Sequence, residues 1–379
     1  MADLEPKEAE SFWPLYRDYR VEMPKVESRK PGVRHRLAIV VRLAAVLAIA
    51  GATGWGALVL LLLAPGAERM RTTVAALFAV IGIVAAAAQA SGRLRRLVTL
   101  GFACAFALVI AVWVAAQPSN IRDWQPEVAV LPYAILDGDR ITVRNIRNFD
   151  YRTETDFTPA YYDRTFDLRQ LDRLDLVASY WMGPAIAHLF LTFGFGEDRL
   201  AISVEARKER TEAYSSIKGF FRQYELIYIV GDERDLIRVR TNYRKDPPED
   251  VYLFAVRGSH ENLRRVFLDY IRDVNALRER PRFYNTLTTN CTTMILTHAR
   301  VNPGHLRYSW KILLSGYAPE YAYDAGRLAG DVPFAELKRR SRINTPAQAA
   351  DGAPDFSRRI RAARNIKSVD TSEGATAQP

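Results

Sequence analysis

The chain has 379 residues, with 53 Lys and Arg against 43 Asp and Glu and a formal net charge of +10. This charge does not indicate a nucleic-acid-binding protein, because residues 118–379 hold 39 Lys and Arg against 35 Asp and Glu. Most of the excess positive charge therefore lies near the amino terminus. The sequence has no phosphate-loop pattern, no HExxH and no Cys/His group at metal spacing, so we expect no metal and no cofactor.

Three uncharged apolar segments follow a polar amino-terminal stretch. They cover residues 43–64, 73–90 and 97–116. At 1.5 Å per helical residue, segments of this length cross a hydrocarbon layer of roughly 30 Å. A cleavable signal peptide would explain only the first segment. We therefore predict three transmembrane helices within residues 37–117.

The distribution of basic residues predicts the orientation of these helices. Arginines and lysines are dense before the first segment and between the second and third, whereas only Arg69 and Arg71, next to Glu68, separate the first two. Loops rich in Lys and Arg stay in the cytoplasm. We therefore expect residues 1–36 to lie in the cytoplasm and residues 118–379 to lie on the outer side of the membrane.

The outer region is predicted to be an α+β domain. Residues 118–127 resemble a membrane-exit linker, with Trp124 suited to the membrane interface and two prolines that oppose helix formation. Alternating apolar residues then predict strands, with a hairpin of residues 187–195 and 199–207. Helices are expected at 214–224, 232–240 and 259–279, and a domain boundary near residue 340. The small, polar residues of 341–379 predict a mostly disordered tail with a possible short basic helix at 356–367.

Cys291 is the candidate nucleophile. The other cysteine, Cys104, lies inside the third apolar segment, so Cys291 has no partner for an intrachain disulfide. Asn290 and Thr292 are helix-capping residue types and an apolar helical pattern follows them, which places Cys291 in a first helical turn. Free N–H groups and the helix dipole at that position lower a thiol pKa and could hold an oxyanion. The alternative is a buried cysteine that only packs.

His188 is the candidate base among the four histidines of the outer region. It lies in a predicted strand, whereas His298 is about 10.5 Å along the helix from Cys291, too far to take its proton. If the hairpin turns at Gly196 and Glu197, Glu205 lies opposite His188 and could orient the ring as the third catalytic residue. Ser203, on the same face, is the substitute for Glu205. A histidine that is only a hydrogen-bonded core residue is the alternative.

Several segments together resemble a known bacterial family. A strand histidine followed about a hundred residues later by a helix-opening cysteine is similar to circularly permuted papain-like folds of the NlpC and lecithin retinol acyltransferase types. The segments "SYWMGPAIAHLFLTF", "SVEARKE", "TNYR" and "FYNTLTTNCTT" more closely resemble the N-terminal periplasmic domain of Lnb, a lipoprotein N-acyltransferase. The resemblance covers roughly residues 120–345, but the membrane helices of this chain precede the domain, whereas those of Lnb follow it.

The resemblance implies a function. Its matching positions, Cys291 and His188, would move an acyl chain from a phospholipid donor to the amine of a lipoprotein or another envelope acceptor through a thioacyl intermediate. Two alternatives remain open at this point. One is an envelope cysteine peptidase or amidase, and the other is a membrane-anchored scaffold without catalysis.

Overall fold

The computed structural model of the protein describes residues 33–91 and 94–362. The predicted cytoplasmic segment up to residue 32 and the tail from residue 363 onward lie outside the described residues. The described part combines three apolar helices with an α+β domain, which confirms the predicted fold class.

Helices α1 (Val33–Leu63), α2 (Glu68–Ala87) and α3 (Arg95–Ala115) include the three predicted spans. Within the described residues, these three are long and apolar enough to cross a membrane. They pack together through aromatic side chains such as Phe78 and Phe102, whose ring centroids lie 5.7 Å apart. Most of their other apolar side chains face outward, as expected for helices surrounded by lipid.

The domain is built on one eight-stranded sheet with the strand order β1-β2-β9-β8-β7-β6-β10, and β5 pairs with β2. The strands are β1 (Tyr133–Asp137), β2 (Arg140–Arg147), β5 (Tyr161–Asp167), β6 (Leu171–Tyr180), β7 (Ala187–Phe195), β8 (Asp198–Arg207), β9 (Glu225–Gly231) and β10 (Asp250–Ala255), with β3 (Asp150–Tyr151) and β4 (Phe157–Thr158) as a separate pair. The sheet is antiparallel except where β2 meets β9 in parallel. The sheet is therefore mixed, with mainly antiparallel pairing.

Helices cover both faces of the sheet. They are α4 (Ser216–Gly219), α5 (Glu233–Arg238) with a π-helical continuation (Val239–Tyr243), α6 (His260–Glu279), α7 (Cys291–Ala299), α8 (Trp310–Leu313), α9 (Ala318–Asp324), α10 (Phe334–Ser341), α11 (Asn344–Ala349) and α12 (Phe356–Ala362). The amphipathic α6 buries Phe267 and Tyr270 against Phe193 of the sheet. On the other face, α5, α11 and α12 share a second core with β6 to β10. The central strands β7, β8 and β9 are thus shielded from water on both sides.

Three sequence predictions are wrong in detail. The helix expected at 214–224 is only the short α4, because Phe220 and Phe221 turn toward the membrane helices instead of continuing it. Trp124 is 6% exposed, under the guanidinium of Arg207, so it is not an interfacial anchor. The tail is ordered as far as residue 362: α11 forms where disorder was predicted, and α12 forms where a short helix was predicted, with Phe356 and Ile360 fully buried in the second core.

The domain contacts one end of the membrane helices through residues 220–223. Phe221 packs edge-on against Trp113 near the end of α3, with 6.3 Å between the ring centroids. Arg222 donates to the carbonyl of Trp113 at 2.8 Å, and Gln223 donates to the carbonyl of Leu62 at 3.2 Å. The carboxyl ends of α1 and α3 therefore support the domain.

Candidate active site

Helix α7 begins with a capping box that fixes the position of Cys291. The side chain of Asn290 accepts hydrogen bonds from the N–H groups of Thr292 and Thr293 at 2.9 Å, and the hydroxyl of Thr293 accepts from the N–H of Asn290 at 2.9 Å. The Asn290 amide also donates to the carbonyl of Thr286. These bonds satisfy donors that a helix start leaves unpaired. Cys291 is thereby held as the first residue of the helix, as the capping pattern predicts.

Strand β7 presents His188 to this helix start. The β7-β8 hairpin pairs Leu191 with Ile202 and Phe195 with Asp198, and the same register places residue 188 opposite residue 205. The His188 ring and the Cys291 thiol line the same cleft and lie close enough for each to shift the pKa of the other. The backbone N–H of Leu189 also helps to lower the pKa of the thiol. A hundred residues of chain thus separate two side chains that the fold brings into contact.

Ser203 and Glu205 both lie behind the imidazole. The Nε2 atom of His188 is 3.0 Å from Oε1 of Glu205 and 2.7 Å from Oγ of Ser203, and the Ser203 hydroxyl donates to Glu205 at 2.7 Å. Since a hydroxyl has one proton, Nε2 must carry the proton that it shares with Ser203. Nδ1 is then the ring nitrogen left for Cys291. The two residues that the sequence offers as alternatives therefore act as one hydrogen-bonded group.

The charges of this group favour a thiolate paired with an imidazolium. Burial opposes protonation of His188, yet Glu205 and the Cys291 sulfur outweigh it and raise the pKa of the ring to about 9. Burial likewise disfavours the thiolate, but His188, the Leu189 N–H and the Thr292 hydroxyl lower the pKa of Cys291. The pKa of Glu205 lies well below its ordinary value, because His188 and Arg240 overcome the effect of burial. Each charge is therefore stabilised by a neighbour of opposite sign.

The hydrogen bonds of the helix start bear on the predicted oxyanion role of Asn290 and Thr292. The N–H of Thr292 is bound to the Asn290 side chain. One hydrogen of the Asn290 amide donates to the carbonyl of Thr286, and its second hydrogen is left for another acceptor. Within the described part of the chain, the N–H of Cys291 has no acceptor. The Cys291 N–H and the second Asn290 amide hydrogen are therefore the candidate donors to an oxyanion.

A cleft of about 660 Å³ opens over Cys291. One wall is charged and includes Glu205, Arg240, Arg244 and Glu249. The lining also includes large apolar side chains, with Met182, Tyr214 and Leu313 exposed to 67%, 49% and 47%. Ser215 and Ser216 also line the cleft and lie just before residues 220–223, which rest on the membrane helices. A substrate with both a polar and an apolar part fits this lining.

The other histidines of the domain lie elsewhere. His298 is 1% exposed, with Nδ1 2.7 Å from Asp269 and Nε2 2.7 Å from the Tyr228 hydroxyl, and it does not line the cleft. His260 and His305 contact backbone carbonyls near the surface. Within the described residues, no group of three or more potential metal-ligating side chains comes together.

Sequence reasoning missed Arg240 and Tyr284. Arg240 donates to Glu205 at 3.0 Å and lies 5.0 Å from the Phe190 ring centre, so it fixes the carboxylate behind His188. Tyr284 is buried, lines the cleft and has its pKa raised by burial and by the Cys291 charge. Both lie beside segments that carry the family resemblance, "TNYR" and "FYNTLTTNCTT". Their proximity to Cys291, however, depends on long-range packing.

Comparison with known families gives a match that covers most of this domain. The model of the Lnb N-terminal periplasmic domain matches residues 157–316, a range that contains His188, Glu205 and Cys291. This part of the chain matches the Lnb N-terminal periplasmic domain family. The resemblance drawn from the sequence is thus confirmed over that range. The protein combines three candidate membrane helices with a domain whose residues 157–316 match the Lnb N-terminal periplasmic domain family. No curated protein and no solved structure matched the chain.

Proposed function

We propose that the protein is a thiol-dependent acyltransferase of the bacterial inner membrane, with its Lnb N-terminal periplasmic domain on the outer side. The observation that carries the proposal is that Cys291, His188 and Glu205 line one cleft, with Glu205 3.0 Å from the His188 ring and the thiol beside that ring. A thiolate at a helix start, a base within reach and a carboxylate behind that base are the parts of a nucleophilic acyl-transfer site. A buried cysteine that only packs would need none of these partners.

The chemistry follows from the positions of these side chains. The Cys291 thiolate attacks the ester carbonyl of a phospholipid, and the Cys291 N–H stabilises the resulting oxyanion. When the carbon–oxygen bond breaks, His188 gives its Nδ1 proton to the leaving alkoxide, and a lysophospholipid departs from a thioester. The amine of a lipoprotein then attacks the thioester. His188 takes the amine proton, the carbon–sulfur bond breaks, and the amide product leaves with the thiolate restored.

The placement of the cleft supports a lipid donor. The cleft is lined by Ser215 and Ser216, which precede the residues 220–223 that contact the ends of α1 and α3, and its lining includes exposed apolar side chains. A bilayer presents its lipids to such a site at high effective concentration. Arg34, Arg36, Arg95 and Arg96 lie at the opposite end of the helices, which supports the proposed periplasmic side for the domain.

An envelope cysteine peptidase or amidase is the second candidate. The charged wall of Arg240, Arg244 and Glu249 favours it, because a peptide from the cell wall could pair with these groups. The two candidates share the same nucleophile and differ in the acceptor and in the bond that is cleaved.

The decisive experiment incubates the purified full-length protein with phosphatidylethanolamine or with cell-wall peptide, followed by mass spectrometry of the intact protein. We expect a hydroxylamine-sensitive acyl adduct with the lipid, which Cys291→Ser abolishes and His188→Asn slows strongly. In cells, the same variants should lose acylation of lipoprotein amino termini. An adduct that survives in Cys291→Ser, or peptide cleavage without lipid acylation, would reject the acyltransferase.

A further inference from the structure

A second cavity lies between the membrane helices, at the end far from Cys291. It has a volume of about 490 Å³ and is lined by side chains of α1 and α3 together with Gln89, which follows α2. Three of its lining residues are arginines, namely Arg42, Arg95 and Arg96. The proposed catalytic role of Cys291 does not involve this cavity.

The polar residues of this cavity lie at one depth in the membrane. Arg42 is 21 residues before Leu63 at the end of α1, and Gln89 is 21 residues after Glu68 at the start of α2. Arg95 is 20 residues before Ala115 at the end of α3. With a rise of 1.5 Å per residue, each of them is roughly 30 Å from the opposite end of its helix, the thickness of the hydrocarbon layer. The cavity therefore sits where the phosphate groups of one lipid leaflet lie.

The charges of the cavity are unbalanced. Among residues 33–91 and 94–362, no carboxylate lies within 4.0 Å of the guanidinium groups of Arg42, Arg95 or Arg96. Three unpaired cations around one cavity repel one another unless an anion neutralises them. A guanidinium group can donate two parallel hydrogen bonds to two oxygens of one phosphate. A phosphate at this depth belongs to a lipid headgroup.

The floor of the cavity is polar but already satisfied. Gln89 is 6% exposed and donates to the Thr99 hydroxyl at 2.9 Å and to the Ala85 carbonyl at 3.2 Å. These bonds hold the helices together around the cavity. Because the Gln89 amide is already hydrogen-bonded, the charge of the cavity comes from the arginines alone. Leu100 and Ala103 line it toward the membrane interior, where acyl chains would continue.

We propose that this cavity binds the headgroup of an anionic phospholipid in the leaflet away from the Lnb N-terminal periplasmic domain. A headgroup with a phosphodiester and no ammonium suits three arginines. A zwitterionic headgroup would bring an ammonium into a site where no described carboxylate can receive it. Arg42 and Arg95 hold the phosphate, and Arg96 adds to the positive field.

The test is native mass spectrometry of the full-length protein in detergent, titrated with phosphatidylglycerol, phosphatidylethanolamine or inorganic phosphate. The double variant Arg42→Gln/Arg95→Gln removes two cations from the cavity. The matched control, Arg34→Gln/Arg36→Gln, removes two exposed cations from the same end of α1 without touching the cavity lining. We expect phosphatidylglycerol affinity to fall about thirtyfold in the first variant and less than threefold in the control.

Three results would overturn the proposal. They are equal binding of phosphatidylglycerol and phosphatidylethanolamine to the unaltered protein, equal losses in the two double variants, and binding of inorganic phosphate without any binding of lipid. If the cavity variant fails to fold, a photoreactive phosphatidylglycerol decides the matter with the unaltered protein. Cross-links should map to residues 95–103 of α3, and cross-links confined to other segments would refute the site.

Discussion

Replacing Glu205 with Gln should reduce the fraction of Cys291 that is present as thiolate, while the shape of the site is kept. The substitution retains an acceptor oxygen for Nε2 of His188 but removes the negative charge that lies 3.0 Å away. That charge is a main reason why the pKa of His188 is raised from 6.5 to about 9. Without it, burial of the ring and the nearby Arg240 guanidinium both disfavour the imidazolium.

The expected decrease in the pKa of His188 follows from the distance between the two charges. At an effective dielectric constant of about 20, two unit charges 3.0 Å apart interact by about 5 kcal/mol, which is an upper limit for a pair that water partly reaches. A loss of about two pKa units, or about 3 kcal/mol, is consistent with that limit. The population of the thiolate–imidazolium form of Cys291 and His188 would then fall about a hundredfold relative to the population of the neutral form.

Alkylation of Cys291 by iodoacetamide measures this change, in a Cys104→Ala background so that Cys291 is the single thiol. The unaltered site should react well at pH 6.5, where His188, with a pKa of about 9, is still protonated. Glu205→Gln should slow the reaction at least tenfold at pH 6.5 and leave it nearly unchanged at pH 10, where the thiolate forms without an imidazolium. Glu154→Gln is the control, because Glu154 lines the same cleft but pairs with Arg244.

An alkylation rate for Glu205→Gln within twofold of the unaltered protein at pH 6.5 would refute the reasoning.

The pair of His188 and Glu205 also predicts how the stability of the fold depends on pH. Because the pKa of His188 is raised, its contribution to folding is complete below about pH 6.5 and is lost as the pH rises through about 9. The difference in free energy of unfolding between the unaltered protein and His188→Asn should therefore shrink from pH 6.5 to pH 10.

Three further substitutions separate the roles of other residues. Asn290→Ala removes the capping box of α7 and should lower the free energy of unfolding by about 1 to 2 kcal/mol in chemical denaturation, while also slowing alkylation of Cys291. His298→Ala leaves Asp269 and Tyr228 buried without their hydrogen-bond partner, so the free energy of unfolding should fall by about 2 to 4 kcal/mol. The pH profile of Cys291 alkylation should not change in this variant, and a shifted profile would place His298 in the site. Arg222→Ala removes a hydrogen bond and a ring contact to Trp113, so hydrogen exchange at residues 220–223 should increase and activity on bilayer lipid should fall, whereas alkylation should not change.

Local patterns in the sequence predicted the elements that carry the site. Uninterrupted apolar runs predicted α1 to α3, because backbone groups in a membrane must be satisfied within the helix. The turn at Gly196 and the alternation of β7 and β8 fixed which residue faces His188, since the register of a hairpin follows from its turn. The capping residues around Cys291 likewise predicted that it lies in the first turn of a helix, and α7 begins at this residue. All of these depend on residues that are near one another along the chain.

Only the tertiary structure decided which elements meet. No local pattern brings α7 against β7, places Arg240 behind Glu205 or packs Phe356 into the second core, because these contacts arise from burial between distant segments. The polar composition of the tail was misleading for the same reason. A few apolar side chains at helical spacing are enough to order a segment when they can pack against an apolar face of the sheet. The structure also showed that the N–H of Thr292 is used in a capping bond to Asn290, which the sequence does not reveal because it does not place the Asn290 side chain.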